Sequence, residues 1–100
     1  MSRKALLKRV PKRVEINGEP VFVRSLTLRE SLRFDEMTKT DETGSLRYIV
    51  RIAVVDEEGN PLFAEGDAEI DDIPVDVVRE IGEAIKKVSS GGSVEKAAKN

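Results

Sequence analysis

The stretch Ser45 to Phe63, SLRYIVRIAVVDEEGNPLF, constrains the fold more than any other part of the chain. It is the longest apolar-rich run, and only Arg51 is charged between Tyr48 and Val55. The run breaks at Asp56-Glu57-Glu58-Gly59-Asn60-Pro61 and returns to apolar residues at Leu62-Phe63. In a chain of 100 residues such a segment is the element that the others cover. As a strand it would put Tyr48, Val50, Ile52 and Val54 on one face. As a helix it groups Leu46, Ile49, Val50 and Ala53, with Arg47 and Arg51 one turn apart on the wet side. Its β-branched content favours strand. Its length, Ser45 as an N-cap and Gly59 just beyond its end favour helix. Helix is the reading taken, followed by a turn over Asp56–Asn60 that returns through Leu62-Phe63.

A core for this element must come from aliphatic residues, because the aromatics are only Phe22, Phe34, Tyr48 and Phe63, with no Trp. The absence of Cys and His removes disulfides, thiolate metal sites and most nucleophile–base pairs. No run approaches the ~20 apolar residues of a membrane-spanning helix. The N-terminal Ala5-Leu6-Leu7 cluster is too short for a signal peptide. These features fit a cytosolic protein.

Upstream, residues 1–12 read as a basic, flexible arm, since Pro11 stops any helix begun at Ala5-Leu6-Leu7-Lys8. Residues 13–90 read as one domain and 91–100 as a flexible or short helical tail after the Ser89-Ser90-Gly91-Gly92 linker. Val14 and Ile16 alternate with Arg13 and Glu15, and Val21 and Val23 with Phe22 and Arg24. Asn17-Gly18 between them is a strong hairpin signal. Pro20 marks its strand as an edge, and the Val14/Ile16/Val21/Val23 face needs a helix to cover it. Thr27-Leu28-Arg29-Glu30 is a capping box opening a helix to about Lys39. On that helix Leu28 and Leu32 lie together, and Phe34 and Met37 lie well round the cylinder. Thr40 to Gly44 reads as a polar loop. Asp67 caps one short helical turn, and Pro74 opens a final helix carrying Val77, Val78, Ile81, Ile85 and Val88 at helical spacing. Gly82 on that helix reads as a place where another backbone comes close. The expected fold is α+β: a small N-terminal β-hairpin packed on a bundle of three main helices, with disordered termini.

Charge is unevenly spread. Arg3, Lys4, Lys8, Arg9, Lys12 and Arg13 are uninterrupted by any acid, whereas residues 56–78 carry nine acids and no base. Such asymmetry steers a partner or pairs copies head to tail; the plain alternative is a solvated tail and a solvated face. Two acidic runs carry part of a calcium-loop spacing. From Asp56, position 6 is Pro61; from Asp67, position 12 is Val78; both fail the pattern. Nucleic-acid binding would rest on the arm alone, without interleaved aromatics and against an acidic remainder. No cofactor is indicated. Elimination leaves a chain that binds protein.

Read in order, Val14 to Thr27, the Leu28-Arg29-Glu30 to Asp35 helix start, the Tyr48 to Phe63 segment with its Asp-x-x-Gly-x-x-Leu-Phe turn, and the acidic stretch before Pro74–Val88 resemble the tail assembly chaperones of long-tailed bacteriophages. The resemblance covers residues 13–90 through the order and spacing of short, degenerate pieces. It implies a non-enzymatic protein of the bacterial host cytoplasm, absent from the mature virion. Such a protein binds and solubilises the tape measure protein and promotes tail tube assembly, with self-association. It also implies a longer frameshifted form that meets the tail tube protein. Ala98-Lys99-Asn100 is compatible with a slippery A-AAA-AAC heptamer, and equally with an ordinary exposed tail.

Two other readings are a structural tail or connector component of the virion and, below it, a nucleic-acid-associated regulator. The candidate interaction residues are Phe34, Met37, Arg33 and Phe63, together with Arg3, Lys4, Lys8 and Arg9 of the arm. For Phe34 and Met37 the competing reading is core.

Overall fold

Asn17 and Gly18 both take positive φ, 53° and 79°, and join strands β1 (Lys12–Ile16) and β2 (Glu19–Val23). Two such residues give the two-residue turn whose twist matches an antiparallel pair. The register follows, with Ile16 opposite Glu19, Val14 opposite Val21 and Lys12 opposite Val23. These observations come from a computed structural model, which describes residues 2–89. The expectations for residues 91–100 lie outside the described residues.

The fold is α+β, with a three-stranded antiparallel sheet and three main helices. Helix α1 (Arg3–Leu7) precedes the hairpin; α2 (Leu28–Thr40) and α3 (Glu42–Ala53) follow it. Strand β3 (Val54–Val55), a 3-10 segment (Ala68–Asp72) and α4 (Val75–Ser89) complete the described residues. The sheet order is β1-β2-β3, so β2 is central rather than the edge that Pro20 implied. The proline is tolerated because β3 pairs only with Phe22 and Val23. Its missing donor points to the β3 side, beyond the end of that short strand.

The opening run divides its character. It is helix to Ala53, as its length favoured, then passes directly into the two-residue strand β3, where its β-branched residues Val54 and Val55 pair with β2. Arg24 N–H donates to the Ala53 carbonyl at 2.9 Å, and Arg24 Nε donates to the Ile52 carbonyl at 2.7 Å, so β2 closes the end of α3. The helix begins earlier than expected. Asp41, not Ser45, is its N-cap and accepts the Gly44 N–H at 3.0 Å. The expected loop at residues 40–44 is therefore little more than this cap. Ser45 lies inside the first turn, buried, with its hydroxyl donating to the Glu42 carbonyl at 2.6 Å.

Val23, Ile49, Val50, Ala53 and Ile85 are fully buried at the centre, with Ile16, Val54, Ile70 and Ile81 around them. The hairpin presents Val14, Ile16, Val21 and Val23 to this core, which α4 closes through Ile81 and Ile85. At 25 cal/mol per Å², full burial of each such aliphatic side chain contributes about 1.5–3 kcal/mol before entropy is counted. A Cβ built on Gly82 meets nothing within 4 Å, so this glycine marks no close backbone approach.

Residues 2–12 depart from the expected flexible arm. Ser2 caps α1 by accepting the Ala5 N–H at 3.2 Å, the helix ends four residues before Pro11, and β1 begins at Lys12. The turn at Asp56–Asn60 closes as expected. Asp56 N–H donates to the Asn60 carbonyl at 2.8 Å, Val55 bridges Pro61, and Leu62 N–H donates to the Val54 carbonyl at 3.2 Å. Gly59 sits in this turn at φ 91°.

Candidate protein-binding surface

Helix α2 presents two apolar sectors, and its orientation decides which one a partner can reach. The capping box fixes its start: Thr27 Oγ1 accepts the Glu30 N–H at 3.1 Å, and Glu30 Oε1 accepts the Thr27 N–H at 2.9 Å. From there, at ~100° per residue, Leu28, Leu32, Asp35 and Lys39 form one row, with Glu30, Phe34 and Met37 opposite. The second row faces the core. Phe34 is 8% exposed and Met37 is half-buried, whereas Leu28 is 77% and Leu32 60% exposed. Phe34 thus follows its core reading rather than that of an interaction residue, and the outward apolar sector is Leu28 and Leu32. The core-facing row opens with Glu30 and Ser31, so it does not stand out as apolar in the sequence.

The remaining candidates separate into distinct places. Arg33 and Arg51 flank the Tyr48 ring, their guanidinium carbons 5.6 and 5.7 Å from its centre. Such contacts contribute about 0.5–1 kcal/mol at exposed sites. With Met37 and Arg47 they line a shallow concavity between α2, α3 and the 3-10 segment. Two of its arginines reach the acidic stretch: Arg47 Nε to Asp71 Oδ1 at 2.5 Å and Arg51 Nη1 to Glu65 Oε2 at 3.8 Å. The Asp71 hydrogen bond holds Arg47 above the ordinary arginine range. Solvent reaches both pairs, so screening leaves each a minor contributor to stability.

Phe63 is half-buried against the core, while its neighbour Leu62 is 54% exposed. Arg9 is held within the fold rather than displayed. Its Nη1 donates to Glu30 Oε1 at 2.7 Å and to the Ser25 carbonyl at 3.3 Å. Arg24 lies close enough that burial first, and then Arg9, push its guanidinium down, with Glu30 acting the other way. Arg3 and Lys4 on α1, and Lys8 just beyond its end, remain exposed, without an ion pair to a described residue. Leu6 and Leu7, on the same helix, are 70% and 71% exposed.

Residues that sequence reasoning passed over are therefore Leu28 and Leu32. The capping box fixes where the helix starts and hence which residues share a row, but only packing against its neighbours turns the Phe34 row inward. Among the described residues no helix is long and apolar enough to cross a membrane, and no three acidic side chains converge as a metal site would require. Comparison with family models, curated proteins and solved structures finds no match to this chain.

Proposed function

We propose that this chain is a non-enzymatic tail assembly chaperone that binds the tape measure protein of a long-tailed phage through α2. The observation that carries the reading is the exposure of Leu28 and Leu32, one turn apart on a rigidly capped helix. An amphipathic partner helix is recognised through apolar anchors at such spacing. Here Asp35 and Lys39 extend the row with both signs of charge, giving the partner helix a polar end to match. The exposed Leu6 and Leu7 of α1 add apolar surface elsewhere. The resemblance in the order of the sequence segments supplies the partner class.

On this reading the protein works in the bacterial host cytoplasm and leaves before the virion is complete. A longer frameshifted form recruits the tail tube protein. A gene without a slippery heptamer at codons 98–100 or nearby removes that part of the proposal.

The central test is co-expression with the tape measure protein of the same genome, comparing the wild type with a Leu28→Asp/Leu32→Asp variant. The wild type raises the soluble fraction of the partner and co-purifies with it. The variant melts like the wild type and does neither. A partner no more soluble with the wild type than alone, or a variant equally effective, overturns the proposal. Stoichiometric recovery of the chain in purified virions replaces it with a structural tail or connector subunit.

A further inference from the structure

Strand β1 borders the sheet on one side only. Its register places Lys12, Val14 and Ile16 in the bonded pairs with β2, because pairs alternate outward from the two-residue turn. The main-chain donors and acceptors of Arg13 and Glu15 therefore point away from β2, along an edge with no further strand among the described residues. Beneath this edge a groove runs between β1 and α4, lined by Val14, Ile16, Ala84, Val88, Glu83 and Lys87. Open edges of this kind pair with another strand unless something opposes it.

The outward face of β1 selects one partner. Arg13 and Glu15 are two residues apart on the same face, with side chains 58% and 61% exposed and 3.5 Å between their charged atoms. Charges on an edge strand oppose pairing where like signs would meet. Opposite charges flanking Val14 are instead self-complementary under a two-fold axis. If Val14 of one copy lies beside Val14 of a second, antiparallel pairing sets Arg13 opposite the second copy's Glu15, and Glu15 opposite its Arg13. Centring the pair on Arg13 or on Glu15 would oppose like charges, and a one-residue slip would turn the side chains to the wrong faces. In the favoured register, the outward groups of Arg13 and Glu15 are also the ones that meet. The two Val14 side chains come together on the inner face, where the groove continues.

We infer that this chain forms a two-fold dimer by antiparallel β1–β1 pairing centred on Val14, joining two three-stranded sheets into one of six strands. This stands apart from the tape measure proposal, since β1 and α2 are separate surfaces and neither test depends on the other.

Two charge reversals test it by sedimentation equilibrium of the full chain from micromolar to millimolar concentration. Arg13→Glu opposes two acids across the axis, and Glu15→Arg opposes two bases. Each weakens self-association about tenfold or more, with the circular dichroism and melting temperature of the monomer unchanged because both side chains are exposed. Mixing the two variants restores dimers as heterodimers, and the double reversal in one chain restores homodimers. A wild type that stays monomeric throughout overturns the inference. So do single variants that associate like the wild type, or a mixture that fails to recover.

Discussion

Arg9 and Thr27 share one oxygen: Glu30 Oε1 accepts the guanidinium at 2.7 Å and the Thr27 N–H at 2.9 Å. The segment before β1 is thereby fastened to the same atom that caps α2. With Arg9 and Glu30 side chains only 23% and 18% exposed, this pair is better shielded than the others on the surface. Glu30→Ala removes both bonds and should cost about 1–2 kcal/mol in urea unfolding, the cap providing the larger share. Arg9→Ala should leave α2 intact and speed hydrogen exchange in residues 3–8. Unchanged exchange there would show that the pair does not hold the N-terminal segment.

Phe34→Ala should destabilise the protein by about 3–5 kcal/mol, the cost of emptying a core aromatic site. Leu32→Ala, two positions away on the opposite row, should change stability by less than about 0.5 kcal/mol. Thermal and urea melts of the two variants decide the orientation of α2, and equal effects would contradict it.

Asp56 accepts N–H bonds from Asn60 and Glu58, each at 2.9 Å, inside the tight turn. The Asn60 bond foremost, with the Glu58 bond assisting and desolvation opposing, holds its carboxyl below the ordinary range. Its contribution is therefore complete above the unfolded value of about 3.9 and is lost as pH falls through the lower folded value. Carbon-detected NMR titration should find Asp56 protonating below the ordinary aspartate range. Asp56→Ala should flatten the acid limb of the stability curve, and a wild-type titration at or above the ordinary value would refute this account.

Two glycines should respond oppositely to alanine. Gly59→Ala forces a side chain into φ 91° and should cost about 1 kcal/mol or more. Gly82→Ala adds a methyl in ordinary helical backbone with nothing within 4 Å, and should gain about 0.5–1 kcal/mol. A loss at Gly82 would mean that α4 packs more closely there than its surroundings indicate.

Local chemistry made much of this fold readable. Asn17-Gly18, the capping box at Thr27 and the apolar spacing of α4 each act within a few residues, and each forms as the sequence implies. Where two signals competed, the local rule was insufficient. Asp41 and Ser45 both suit an N-cap, and the packing of a buried Ser45 at the start of α3 favours Asp41. The apolar pairs Leu28/Leu32 and Phe34/Met37 both suit a core, and only the placement of α3 and α4 around α2 separates them. Met37 and Arg33 do come together beside Tyr48, but Phe34 and Arg9 belong to the interior framework. The edge role assigned to Pro20 failed for a different reason: β3 is two residues long, too short to need the donor that proline lacks.

The direct passage from α3 into β3 leaves no slack in the chain at Ala53-Val54. An extra residue inserted there would either unwind the last helical turn or rotate Val54 and Val55 to the opposite side of the sheet. Extra residues at Glu57-Glu58 would only lengthen an exposed turn. Helix and strand therefore share a single phase, and the permissible places for insertion into this chain are set by that junction.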